Sequence, residues 1–120
     1  MTRARQAVGA YGERLAVRHL EEAGMVVLAR NWRCADGELD IVARDGSVTV
    51  FCEVKTRRTD GYGPAAAAVA GRKQRRLRRL AARWLATCAD PPGEVRFDVV
   101  SVHPQPRGAA RIDHLRGAFQ

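Results

Sequence analysis

Apolar and polar residues alternate along two segments near the middle of the chain, on either side of Asp45-Gly46. A period of two residues is typical of a strand with one buried face. Asp45 and Gly46 suit the central positions of a type I′ turn, where both residues need positive φ. The pattern therefore predicts a β-hairpin over residues 37–57, with Arg44 and Ser47 closing the turn.

This turn predicts which side chains share a face, because opposed residues and alternate residues of a hairpin lie on the same side. One face is purely apolar: Leu39, Ile41, Ala43, Val48, Val50, Cys52 and Val54. The other face carries Glu38, Asp40, Val42, Thr49, Phe51, Glu53 and Lys55. Strands are normally poor in aspartate, glutamate and lysine. Either Lys55 neutralises two acids in an ion-pair cluster, or Asp40 and Glu53, diagonal neighbours at about 7 to 8 Å, hold one hard cation. Glu38, predicted opposite Glu53, is a reserve ligand.

The other segments follow in a regular order. Helical spacing predicts helices over residues 4–23 and 72–88, the first ending at Gly24. Apolar runs predict a strand over 25–32 buried on both faces, a strand over 95–102 and a short edge strand over 111–115, with an irregular loop over 56–64. This order predicts a single domain, residues 1–120, of the α/β class with a mixed sheet flanked by helices.

The second predicted helix is strongly basic. Its arginines gather opposite an apolar stripe, and the chain contains no acid between positions 61 and 89. Such a face either is merely solvated or, because like charges repel, binds phosphate, and the missing acids favour phosphate. The predicted nucleic-acid contacts are Arg72, Arg75, Arg76, Arg79 and Arg83 of this face, its neighbours Lys73 and Gln74, and Arg57 and Arg58 of the preceding loop.

Lys73 differs from its neighbours. Only two of the 21 basic residues are lysines, Lys55 and Lys73. On a helical wheel Lys73 lies in line with Leu77 and Trp84, so it points inward. One interpretation is a lysine whose stem covers apolar surface while its ammonium reaches water. The other, which we predict, places the ammonium beside the acids of the hairpin, because a cation in the first turn of a helix needs a nearby anion.

Composition limits the class of partner and the compartment. The 21 basic and 13 acidic residues give a formal net charge of +8, which favours a polyanion. The charged start of the chain is not followed by the apolar stretch of a signal peptide. The basic helix has no bulky exposed apolar anchors, so we expect no membrane partner. Three separated cysteines and three scattered histidines show no ligand spacing, and we expect a cytoplasmic protein.

Six motifs together resemble a known family. Asp40 followed by Glu53-Val54-Lys55 resembles the core of PD-(D/E)xK nucleases. With the motifs below it resembles the YraN family, which is similar to archaeal Holliday-junction resolvases. Cys52 departs from the valine usual in that family. The motifs are Gly12-Glu13, Asn31-Trp32-Arg33, Gly37-Glu38-Leu39-Asp40, Phe51-Cys52-Glu53-Val54-Lys55-Thr56-Arg57, Arg72-Lys73-Gln74 and His114-Leu115-Arg116-Gly117-Ala118-Phe119.

The resemblance implies a restriction-endonuclease-like αβββαβ core. It also implies a Mg²⁺- or Mn²⁺-dependent endonuclease that acts on branched or structured DNA. A homodimer would suit a two-fold symmetric junction. It implies Asp40 and Glu53 as metal ligands and Lys55 as the residue that orients or deprotonates water. From spacing alone Glu13 is an exposed acid, whereas the resemblance makes it an additional active-site acid and metal ligand, with room provided by Gly9 and Gly12. The alternatives are a non-catalytic nucleic-acid-binding module, or an arginine face that docks an acidic protein.

Overall fold

The fold is described from a computed structural model, which covers residues 3–57, 71–90 and 93–119. It contains two helices and five strands in the predicted order. In chain order these are α1 (Arg3–Glu22), β1 (Val26–Cys34), β2 (Gly37–Asp45), β3 (Val48–Thr56), α2 (Gly71–Leu85), β4 (Val95–His103) and β5 (Arg111–Phe119). The predicted loop over 56–64 lies mostly outside the described residues. None of the described helices is long and apolar enough to cross a membrane.

The strands form one mixed sheet in the order β1-β2-β3-β4-β5. Only β3 and β4 are parallel, since α2 lies between them in the chain and returns it to the same end of the sheet. The other neighbouring pairs are antiparallel. This is the predicted α/β fold with a restriction-endonuclease-like αβββαβ core.

Each face of the sheet packs on one helix, so the protein has three layers. On one face, Ala16 and Leu20 of α1 cover Ile41, Val50 and Val100. On the other, Leu77, Leu80 and Ala81 of α2 cover a second cluster that includes Leu39, Val42, Phe51, Phe97 and Val99. Both faces of the central strands are therefore buried. The same apolar contacts fix the position of each helix relative to the sheet.

The hairpin is confirmed, but its turn lies one residue later than predicted. Asp45 pairs with Val48, so Gly46 and Ser47 are the central residues. Only Gly46 of the two has positive φ, 62°, which fits a type II′ turn and not the predicted type I′ turn. The register shifts by two residues, so Glu38 does not lie opposite Glu53. A shift of two leaves each paired residue on its predicted face.

The alternation of β2 breaks at Asp40. The β2–β3 ladder extends only as far as Ile41 paired with Cys52, and beyond it the Asp40 carboxylate, not a backbone carbonyl, accepts the Val54 N–H at 2.9 Å. Leu39 consequently packs in the cluster under α2. The prediction that Leu39 shares a face with Ile41 was wrong, because a side chain replaces the ladder at this point.

Two predictions about the outer strands were also wrong. β1 is an edge strand, so Val26 and Leu28 are 50% and 41% exposed and are not buried on both faces. β5 is longer than the predicted 111–115 because Gly117, with φ of 61°, accommodates a register shift in the β4–β5 ladder.

Candidate active site

Asp40 lies where β2 and β3 separate, and its environment opposes ionisation. Burial, and next the negative charge of Glu53, raise the pKa of Asp40 to about 7, although the hydrogen bond from the Val54 N–H acts in the other direction. Glu13 and Glu38 add smaller contributions that also raise it. Four acids from α1, β2 and β3 therefore share one electrostatic environment, which a cation would stabilise.

Glu53 is held between two lysines. Its Oε1 lies 2.7 Å from Lys73 Nζ and 3.3 Å from Lys55 Nζ. The Glu53 side chain is only 12% exposed, so this ion pairing takes place largely away from water. The predicted position of Lys73, pointing inward to the acids of the hairpin, is confirmed.

The two lysines are electrostatically different. Burial, followed by the neighbouring Lys73, lowers the pKa of Lys55. Burial is the largest single effect and acts to lower the pKa of Lys73, but the hydrogen bond to Glu53, the neighbouring Lys55 and the charges of Glu53 and Asp40 together outweigh it, and the pKa is raised. Lys73 therefore holds its proton more firmly, whereas Lys55 is the lysine more able to release one.

Glu13 reaches the acids from α1 because the helix approaches β3 closely at Gly12. A Cβ on Gly12 would lie 1.8 Å from Thr56 Oγ1, whereas a Cβ on Gly9 would meet nothing within 4 Å. Of the two glycines predicted to leave room, only Gly12 has this role. Burial raises the pKa of Glu13, and its buried Oε1 has no hydrogen-bond partner among the described residues.

Asn31 also reaches this region, although sequence reasoning assigned it no role. Its polar side chain acts on Glu13 and lowers the pKa of that acid against the larger effect of burial. Asn31 has φ of 52°, a left-handed conformation that asparagine tolerates better than most residues.

Glu38, the predicted reserve ligand, instead forms an ion pair with Arg33 at 2.6 Å.

The acids fit a divalent cation only in part. Residues 3–57, 71–90 and 93–119 contain no group of three or more histidine, cysteine, aspartate or glutamate side chains arranged to hold a metal. Mg²⁺, however, is commonly bound by one or two carboxylates, with waters and substrate phosphates completing its shell. Asp40 and Glu53 fit this smaller donor set, and the unpartnered Glu13 Oε1 is a further buried acceptor near them. The role of Glu13 as a ligand remains a prediction.

The predicted basic face of α2 is largely exposed. Arg72, Arg75, Arg76 and Arg79 lie on the surface. Arg83 is different, since Asp36 of the β1–β2 turn forms an ion pair with it. The charge of Arg83 is thus compensated, although the surrounding sequence contains no acid.

The remaining predicted nucleic-acid contacts lie at the ends of neighbouring elements. Gln74 is half-buried in the first turns of α2. Arg57 follows β3, and its backbone N–H donates to the Val102 carbonyl at 2.8 Å. Arg58 lies outside the described residues.

Ser101 lies next to the candidate site, and sequence reasoning missed it. It pairs with Lys55 in the parallel β3–β4 ladder and therefore lies beside it on the face toward α2. Ser101 is 2% exposed, and its Oγ has no hydrogen-bond partner among the described residues. The signal was a single hydroxyl within the apolar run of β4.

A second polar cluster joins α1, β4 and β5 around buried Asp98. Its carboxylate accepts from Arg96 Nε at 2.9 Å, from the Gly117 N–H at 3.0 Å and from His114 Nε2 at 2.7 Å. His114 Nδ1 in turn lies 3.0 Å from His19 Nε2. Burial alone would raise the pKa of Asp98, but these hydrogen bonds outweigh it and lower the pKa to about 2. His19 and His114 show no ligand spacing along the chain, but the fold brings them together in this cluster.

The fold and the candidate site together define a class of protein. The protein is an α/β protein with a restriction-endonuclease-like core, in which two carboxylates and two lysines meet between the sheet and the first turn of α2. A family model described as "Uncharacterised protein family UPF0102" matches residues 12–102. The chain belongs to the UPF0102 family, also called YraN, which confirms the resemblance inferred from the motifs.

Curated relatives support this membership over nearly the whole chain. A UPF0102 protein of Frankia alni is 58% identical over 117 residues, covering 98% of both chains. One from Beutenbergia cavernae is 58% identical over 115 residues, covering 96% of this chain and 98% of the relative. One from Streptomyces coelicolor is 57% identical over 116 residues, covering 95% and 89%.

Proposed function

We propose that this protein is a metal-dependent endonuclease that hydrolyses phosphodiester bonds of branched or otherwise structured DNA. The observation that carries the proposal is the meeting of Asp40, Glu53, Lys55 and Lys73 at one point. Phosphodiester hydrolysis needs charge neutralisation on the phosphate, an activated water and a stabilised leaving oxygen. A bound Mg²⁺ or Mn²⁺ supplies a Lewis acid for these tasks.

Each side chain of the site has a role that follows from its surroundings. Asp40 and Glu53 would hold the cation, which offsets the repulsion that raises the pKa of Asp40. Lys55, with its lowered pKa, would orient the attacking water and accept its proton. Lys73 keeps its charge, so it would position Glu53 and neutralise the phosphate.

The DNA partner is supported by charge. The net charge of +8 and the exposed arginines of α2 favour a polyanion, and Lys73 belongs to the same helix as those arginines. A strand lying along α2 would therefore bring a phosphate to the acids. Contacts to phosphates carry no sequence information, so we expect recognition of DNA shape and not of base sequence.

A non-catalytic nucleic-acid-binding module is the second candidate. It is favoured by the ion pairing of Glu53, because two lysines neutralise this acid without any metal. In this alternative the acids and lysines only stabilise the fold, and α2 still binds DNA.

Cleavage of labelled DNA separates the two candidates. Linear, flap and four-way DNA would be incubated with the protein and Mg²⁺, Mn²⁺ or EDTA, and binding to each would be measured in parallel. The nuclease predicts metal-dependent products from at least one structured DNA. Binding without products under every metal condition would favour the non-catalytic module.

A further inference from the structure

Ser101 carries a buried hydroxyl beside the candidate active site. The residue is 2% exposed, and its Oγ is closed to solvent and makes no hydrogen bond to any of the described residues. Buried polar groups of folded proteins are nearly always hydrogen-bonded, because an unpaired one destabilises the fold. At this position of β4 an alanine would avoid that cost. The hydroxyl is therefore a group that the fold alone does not explain.

Two ladder neighbours flank Ser101 on its own face of the sheet, Lys55 of β3 and Asp113 of β5. Neighbouring strands lie about 4.7 to 4.9 Å apart, so both side chains start close to the hydroxyl. Asp113 is directed elsewhere, since its Oδ2 lies 3.1 Å from His103 Nε2 and 3.6 Å from Arg111 Nη2, and its side chain is 53% exposed. Lys55 is thus the neighbour that can bring a donor to Ser101.

Lys55 has the weaker of two contacts to the same carboxylate oxygen. Glu53 Oε1 lies 3.3 Å from Lys55 Nζ but 2.7 Å from Lys73 Nζ, and the two ammonium groups repel each other across it. A divalent cation on Glu53 would increase this repulsion and occupy the carboxylate. Lys55 would then lose its partner before Lys73 does, because its contact is the longer one.

We propose that Ser101 is a positioning residue, whose hydroxyl accepts a hydrogen bond from the Lys55 ammonium when Glu53 holds a divalent cation. The flexible four-carbon stem of lysine lets its ammonium turn to a ladder neighbour without a change in the backbone. A hydroxyl also donates to a neutral amine, so Ser101 can hold Lys55 in both protonation states. This inference rests on the proposed function for the cation and for the role of Lys55.

Unfolding and cleavage should respond in opposite directions when the hydroxyl is removed. In urea denaturation with EDTA, Ser101→Ala should unfold at a higher urea concentration than wild type, because it removes an unpaired buried hydroxyl. With Mg²⁺, the same variant should cleave flap DNA about tenfold more slowly, the effect of one lost hydrogen bond. Ser101→Thr keeps the hydroxyl, so it should cleave faster than Ser101→Ala.

Nuclear magnetic resonance of the lysines tests the contact without DNA or cleavage. Lys55 and Lys73 are the two lysines of the chain, so protein labelled with ¹³C-lysine gives two Cε signals, and Lys73→Arg assigns them by removing one. In EDTA, wild type and Ser101→Ala should share the same Lys55 signal, because Glu53 is the partner in both. Adding Mg²⁺ should shift the Lys55 signal of wild type, and the shifted signal should differ in Ser101→Ala.

Three results would overturn the proposal: a Lys55 signal that Mg²⁺ does not shift, a shift that is identical in Ser101→Ala, or equal cleavage rates for wild type and Ser101→Ala. Lower stability of Ser101→Ala in EDTA would also overturn it, because the hydroxyl would then already be paired in the metal-free protein. Failure of the nuclease is distinguishable from these. A Mg²⁺-induced shift that depends on Ser101, without cleavage under any metal condition, would support the contact and refute the nuclease, whereas metal-dependent cleavage at equal rates would do the reverse.

Discussion

Because α1 lies close to β3 at Gly12, we predict that alanine substitution affects stability differently at two glycines of this helix. An added methyl group at Gly12 would meet three side-chain atoms of Thr56, at 1.8, 3.0 and 3.2 Å, whereas one at Gly9 would meet nothing within 4 Å. Gly12→Ala therefore forces α1 and the end of β3 apart, and Gly9→Ala changes only the backbone of the helix. Both substitutions replace glycine by a better helix former.

The helix contribution is about the same at both positions, close to 0.8 kcal/mol in favour of alanine. At Gly9 nothing opposes it, so Gly9→Ala should stabilise the protein by about that amount. At Gly12 the overlap with Thr56 adds an overpacking cost of about 1 to 3 kcal/mol. The two variants should thus differ by about 1 to 3 kcal/mol in the free energy of unfolding.

Urea denaturation of wild type, Gly9→Ala and Gly12→Ala measures this difference, with a single unfolding transition as the condition for comparing them. Thr56→Ala removes two of the three contacting atoms, so Gly12→Ala should cost less in that background, by about 1 kcal/mol. Equal stability of the two alanine variants would refute the packing argument. Because Glu13 follows Gly12, DNA cleavage should fall in Gly12→Ala but not in Gly9→Ala.

Three further predictions follow from the charges. Asp98 has a lowered pKa of about 2, so its ionised carboxylate should stabilise the fold by roughly 2 kcal/mol above about pH 4, and this stabilisation should be lost as the pH falls toward 2. In urea denaturation, the difference in unfolding free energy between wild type and Asp98→Asn should therefore shrink over that range. A difference that stays constant with pH would contradict the prediction. Lys73→Ala should lower the cleavage rate more than DNA affinity, and an equal loss of both would make Lys73 a binding residue only. Changing Arg76 and Arg79 together to glutamate should abolish most salt-dependent DNA binding without a change in circular dichroism, and unchanged affinity would show that this face is only solvated.

The order of elements could be read from the sequence because each helix and strand carries its own period. The hairpin register could not, since Asp45-Gly46 and Gly46-Ser47 are both acceptable turns within the same local sequence. The error was harmless for most faces, because a shift of two residues keeps each side chain on its side. The wrong face of Leu39 has a separate cause, because the Asp40 carboxylate accepts the Val54 N–H and replaces the ladder there.

Contacts between distant segments account for most of what the sequence could not predict. Nothing local distinguishes an edge strand from a central one, so the exposure of Val26 and Leu28 on β1 depended on the sheet order. His114 links Asp98 to His19 only because α1 packs on the sheet there, and no spacing rule connects these three residues. Lys73 was predictable because two independent signals, its place on the helical wheel and the rarity of lysine in this chain, pointed inward.

The site was predictable in its residue types but not in its pairings. Glu53-x-Lys55 and Asp40 were found from their places in an otherwise apolar pattern. The ion pair of Glu38 with Arg33 depends on the β1–β2 register, and the interaction of Asn31 with Glu13 depends on how β1 runs beside α1. The electrostatic difference between the two lysines also required the fold.

The central claim is that Asp40 and Glu53 serve phosphodiester hydrolysis, and single-turnover cleavage of flap DNA with Mg²⁺ tests it most directly. Wild type should cleave, and Asp40→Asn should cleave about a thousandfold more slowly or worse, because the change removes metal-binding charge. The variant should bind the DNA at least as tightly, because the arginines of α2 are intact. Glu38→Gln is the matched control, since Glu38 contributes to the same acidic environment but forms an ion pair with Arg33, and it should cleave at close to the wild-type rate. Equal cleavage by wild type and Asp40→Asn would contradict the account.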